Sequence, residues 1–120
     1  MEYEFSPDKL QEKYADEKWL KKKYGVVIAT ELLKFLGFLA VATNAYEIKN
    51  KPQWFMEHKK GNLKEYYSIS LDKKKSKWRL MLQMLDEDGN VVVPGENEIE
   101  FLKGIKKIRI KELSEHYVEF

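Results

Sequence analysis

Three consecutive residues near the end of the chain, Glu115-His116-Tyr117, combine a carboxylate, an imidazole and a phenol. Such groups can accept, relay and donate protons near neutral pH. Just upstream, Lys107 and Arg109 supply fixed positive charge. Together these side chains can open a phosphodiester without a metal. One group takes the proton from a 2′-hydroxyl. A cation stabilises the charge that builds on phosphorus, and an acid protonates the leaving 5′-oxygen. The same three terminal residues also fit a plain structural end, with Tyr117 and Phe120 packing on a sheet. His58, His116, Glu115 and Glu119 are conceivable metal ligands, but no His-Glu-x-x-His spacing is present, so no metal is expected. Cysteine is absent, which excludes a thiol nucleophile, a thiolate zinc site and a disulfide framework.

The elements that must position these groups follow from periodicity. Residues 1–5 alternate apolar and acidic, as a half-buried strand does. Ser6-Pro7-Asp8 reads as a helix start, with Ser6 as cap and Pro7 in the first turn. That helix runs to about Tyr24 and closes at Gly25. A second helix is expected over Val26 to Tyr46. Ile28, Leu32, Phe35, Leu39 and Ala42 form one apolar stripe, and Leu33, Phe38 and Val41 a second. Lys49 to Gly61 reads as a loop. Tyr66–Leu71 and Lys77–Leu85 read as the strands of a hairpin around the charged turn Asp72–Ser76. After the acidic turn Asp86–Asn90, Glu96–Lys103 reads as a short helix ending at Gly104. Ile105 to Leu113 reads as the last strand. The expected fold is α+β: two N-terminal helices on one face of a small, twisted, mainly antiparallel sheet, in a single domain over residues 1–120.

The 120 residues hold 22 basic and 20 acidic side chains, so the net charge is only +2. The average conceals a gradient. Residues 1–48 carry 7 basic and 8 acidic groups, residues 49–79 carry 10 and 3, and residues 80–120 carry 5 and 9. The basic middle also holds Trp54, Phe55, Tyr66, Tyr67 and Trp78. Lysines for phosphates beside aromatics for bases suit single-stranded nucleic acid. The plainer reading is a solvated lysine turn above core aromatics. The N-terminal Met-Glu-Tyr-Glu-Phe lacks a basic leader, and the longest uncharged run, Phe35 to Tyr46, is too short to span a bilayer. A cytoplasmic protein with no membrane partner is expected.

The ordered set His58-Lys59-Lys60-Gly61-Asn62-Leu63-Lys64, Tyr66-Tyr67-Ser68-Ile69, Trp78-Arg79-Leu80 and Ile110 to Tyr117 resembles the HigB-like branch of the RelE toxin superfamily. The likeness covers Lys23 to Tyr117. It implies a RelE-like fold and a ribosome-dependent endoribonuclease, the toxin of a type II toxin–antitoxin pair. Such a toxin cuts mRNA by metal-independent attack of the 2′-OH and so inhibits translation. It implies no cofactor. It implies a HigA-like antitoxin with a helix-turn-helix, which alone would contact operator DNA, and mRNA on the ribosome as substrate. By position, His58, Arg79, Glu115, His116 and Tyr117 match the catalytic places. His116 would serve as base or acid, Glu115 as its orienter or an alternative base, and Tyr117 as base stacker or proton donor. Lys59, Lys60, Lys64, Lys77, Lys107 and Arg109 would contact RNA. His116 and Tyr117 are exchanged relative to the commoner family order. The N-terminal strand, the long first helix and the segment from Asp86 to Lys103 exceed the shorter members. The second apolar stripe of the Val26 helix would either meet the antitoxin or pack on the first helix. The alternative is a non-catalytic nucleic-acid-binding or protein-interaction domain.

Overall fold

The computed structural model describes residues 1–115, apart from the side chain of Lys74. Strand β1 (Glu2–Phe5) is followed by helices α1 (Leu10–Ala15), α2 (Glu17–Tyr24), α3 (Val26–Val41) and α4 (Tyr46–Lys49). Strands β2 (Glu57–His58), β3 (Tyr67–Ser70) and β4 (Arg79–Leu85) come next, then α5 (Glu98–Lys103) and β5 (Lys107–Ser114). The architecture is α+β, as the alternation of patterns requires.

Among the described residues the sheet is mixed: its order is β1-β5-β4-β3-β2, three of its four strand pairs are antiparallel, and β1 runs parallel to β5. The parallel pair has a simple cause. After β1 the chain crosses a helical layer and enters the sheet at its far edge. It then meanders back through three antiparallel pairs until β5 slots in beside β1. The alternation in β1 sets its register, with Tyr3 opposite Ile108 and Phe5 opposite Ile110 on the core side.

The first predicted helix is two helices. Ser6 does not cap it: its N–H donates to the Ile110 carbonyl at 2.9 Å and extends the strand pairing, and α1 begins only at Leu10. The break falls at Asp16, whose extended backbone and side chain cap α2 by accepting from the Trp19 N–H at 3.0 Å. Gly25, at φ +90°, makes the reversal between α2 and α3 that a side chain would hinder. The second helix also ends earlier than periodicity suggests. Ala42 is extended, and the apolar residues Ala45 and Ile48 are buried through the separate turn of α4.

The core lies between these helices and one sheet face. Ile28, Leu32, Phe35 and Leu39 of α3 pack with Leu80, Leu82 and Met84 of β4 and with Ile108 and Ile110 of β5. In the second stripe Leu33 and Phe38 are half-buried against the same core, whereas Val41 is 81% exposed. A bulge between Leu80 and Leu82 shifts β5 by one residue, so Leu113 rather than Glu112 faces Leu80. The Leu113 N–H, beyond the reach of the short β1, donates instead to the Tyr14 hydroxyl at 2.9 Å. No helix among the described residues is long and apolar enough to cross a membrane.

Candidate active site

Strand alternation divides the predicted residues between two faces. The register Arg79↔Ser114 and Arg79↔Ser70 places Arg79 on the face away from the helices, beside two buried serines. Lys77 and Glu115 flank it at the same end of the sheet, joined as an ion pair at 3.1 Å. Trp78 points to the opposite, helix side and packs edge-on against Tyr24, with ring centres 4.8 Å apart. That contact fixes the start of β4. The Arg79 guanidinium is held by its own loop: Nη1 donates to the carbonyls of Ser76 at 2.7 Å and Trp78 at 3.0 Å. Its remaining N–H groups carry no bond to a described residue. The result is a guanidinium fixed to its own loop, at the end of the sheet where Lys77 pairs with a carboxylate that is one-third exposed.

Such an arrangement can bind a phosphate. The fork of Arg79 suits two phosphate oxygens, and Lys77 adds a mobile charge. Glu115 can accept a proton once Lys77 turns to a ligand. His116 and Tyr117 lie outside the described residues.

His58 belongs elsewhere. The short strand β2, which falls inside the stretch expected as loop, pairs His58 with Tyr67. Its ring stacks on the Tyr67 ring at 4.7 Å on the core side of the sheet, and Nε2 lies 2.7 Å from the Lys64 carbonyl. The Tyr67 hydroxyl donates to Glu98 Oε2 at 3.1 Å, and Glu98 Oε1 pairs with Lys49 at 3.1 Å. Burial, the Glu98 charge and the hydrogen bond to it all raise the Tyr67 pKa above its usual range. Burial alone would raise that of Glu98, but the bonds from Lys49 and Tyr67 prevail and lower it, with the nearby His58 assisting. This group ties α4, β2, β3 and α5 together as a clasp. The structure therefore does not bring His58 and Arg79 into one constellation.

The expected RNA-binding cations separate in the same way. Lys107 and Arg109 share the outer face with Arg79, but both lie 3.6 Å from Glu4 of β1. Arg109 also reaches Gln83 and the Gly89 carbonyl at 3.4 Å. Opposite Gln83, it stands four residues along β4 from Arg79, about 13 Å away at the usual strand rise. Lys59 pairs with Glu57 at 3.3 Å, while Lys60 and Lys64 are exposed at the β2 edge. Sequence reasoning missed the neutralising role of Glu4, although its signal was present: an acid in β1 must point to the same side as the cations of its neighbour strand. It also missed that Ser68, Ser70, Met81 and Gln83 are buried in the middle of the outer face. Among the described residues no three His, Asp or Glu side chains gather as a metal site would need.

Compared with known protein families, with curated proteins and with solved structures, the chain matches none.

Proposed function

We propose that the protein is a RelE-like, ribosome-dependent endoribonuclease, the toxin of a type II toxin–antitoxin pair, which cleaves mRNA and stops translation. One observation carries the reading: Arg79 lies on the outer face at the end of the sheet where its chain neighbour Lys77 and Glu115, next to the Ser114 opposite it, form an ion pair. A fixed guanidinium can take the charge that develops on the scissile phosphate. Glu115, or His116 next to it, would draw the proton from the 2′-hydroxyl, and Tyr117 would stack on a base or supply a proton. The basic stretch from Lys59 to Lys77 supports binding of an RNA backbone. His58 drops out of the catalytic set in this reading and acts through the clasp at Tyr67.

The Lys77–Glu115 ion pair favours a second reading, because it occupies the carboxylate that would serve as base. In that reading the same end of the sheet binds RNA without cutting it. Controlled expression in bacterial cells, with mapping of mRNA 5′ ends, separates the two. The toxin reading expects growth arrest and new 5′ ends inside coding regions, both relieved by Arg79→Ala in protein that remains folded. Intact mRNA and unimpaired growth would sink it. Salt-dependent RNA binding with no cleavage on ribosomes would establish the binder.

A further inference from the structure

The free edge of β1 forms a second surface, away from Arg79. Among the described residues β1 is the terminal strand of the sheet and pairs only with β5. Glu2 and Ser6 donate their N–H groups to the Lys106 and Ile110 carbonyls of that neighbour. Strand alternation therefore turns the N–H and C=O groups of Tyr3 and Phe5 to the opposite edge, where no described residue meets them. An open edge of this kind is a template for another strand.

The edge has two chemically distinct sides. On the helix side lies a groove of about 540 Å³, lined by Tyr3, Phe5, Leu33 and Leu36 together with the acids Glu4 and Asp8. On the other side stands Glu2. Glu2 is exposed and has no ion pair among the described residues, and Glu4 is 40% exposed although Lys107 and Arg109 approach it. A strand laid along this edge would send alternate side chains into the groove, against Tyr3, Phe5, Leu33 and Leu36, and toward Glu2 on the other side.

We infer that β1 is a docking edge for an extended segment of another protein in which apolar residues alternate with Lys or Arg. Main-chain hydrogen bonds to Tyr3 and Phe5 hold the segment, the groove takes its apolar side chains, and Glu2, which has no ion pair among the described residues, selects its basic ones. A second copy of this chain fits poorly. Its own β1 would set Glu2 and Glu4 against the same acids, and like charges directly opposite repel. The inference does not depend on the nuclease reading.

The test uses the full chain, labelled for amide exchange, and a blocked hexapeptide of alternating Lys and Val as probe. Binding is expected to slow exchange of the Tyr3 and Phe5 amides while leaving that of Glu4, already turned toward β5, unchanged. An alternating Glu and Val peptide is expected not to bind. Tyr3→Pro removes an outward donor at an edge position that tolerates proline. It is expected to weaken binding about tenfold, as loss of one hydrogen bond would. Leu36→Lys, which leaves the strand intact, is expected to weaken it by a similar factor. The inference is overturned if no binding occurs at about 1 mM peptide, or if both peptides bind alike. It is equally overturned if binding leaves the Tyr3 and Phe5 amides unprotected, or if the protein alone protects them by dimerising.

Discussion

His58 and Arg79 project from opposite faces of one sheet, because His58 aligns with Tyr67 and Leu82 on the core side while Arg79 aligns with Ser70 on the other. A single substrate phosphate cannot touch both. Their substitutions therefore separate. Arg79→Ala is expected to lower mRNA cleavage on ribosomes about a hundredfold or more, the usual cost of removing a fixed donor to developing charge. Arg79→Lys should not restore it, since an ammonium lacks the two-pronged geometry. His58→Ala should leave cleavage nearly intact and lower the melting temperature instead. Equal losses of cleavage from the two variants, both folded by circular dichroism, would refute this division.

Glu4 neutralises the cations at the far end of the same face. Glu4→Gln should release Lys107 and Arg109 for phosphate contact. The expected result is tighter RNA binding at low salt. The plot of log affinity against log salt should steepen by roughly one unit for each cation released. Filter binding across a salt series measures this, and an unchanged slope would show that the two cations do not face RNA.

Tyr14 holds the bulge of β5 in place through the Leu113 N–H. Tyr14→Phe strips that donor of its acceptor and should cost about 1–3 kcal/mol in urea unfolding. The phenol also shapes the alkaline limit. Burial is the main cause that pushes its pKa well above the usual range. The folded state thus keeps a proton that the unfolded chain releases near pH 10. Stability should fall as pH rises past about 10, and less steeply in Tyr14→Phe.

The clasp at Glu98 acts at the acid end. Its folded pKa lies below the unfolded value of about 4.3. Its contribution is then complete above that value and lost as pH falls through the folded one. Partial exposure limits the pair with Lys49 to less than about 1 kcal/mol. Thermal melts should show wild type above Glu98→Gln at pH 6 and the gap closing below about pH 4. A gap that persists at pH 3 would assign the difference to packing.

Much of this architecture is legible in periodicity alone. The alternation of residues 1–5, the hairpin around Asp72–Ser76 and the stripe Ile28, Leu32, Phe35 and Leu39 all read correctly, because one buried face leaves an unambiguous repeat. The failures have local causes. Ser6-Pro7 carries the chemistry of a helix cap, yet Ser6 extends the strand pairing and α1 begins only at Leu10. Asp16 is an equally good cap hidden inside a helical pattern, so two helices read as one. β2 has only two residues, too few to show a period, and without it His58 could not be assigned a face. The site itself was half legible. Lys77 and Glu115 are brought together beside the Arg79–Ser114 register pair, but pairing between strands far apart in sequence decides which cations remain available, and Glu4 lies over a hundred positions from Arg109.

The position of β5 also governs when the molecule can exist. It is the last described strand in the chain, yet it lies inside the sheet between β1 and β4. While a ribosome is still making the chain, β1 has no neighbour and β4 has only β3. The sheet stays split until residues 107–114 have left the exit tunnel, and non-local pairings of this kind form late and slowly. Ser114, which lies opposite Arg79, and Glu115, which pairs with Lys77, arrive with that strand. A nascent chain therefore holds Arg79 and Lys77 before the carboxylate that pairs with Lys77, and that end of the sheet is complete only once β5 has emerged.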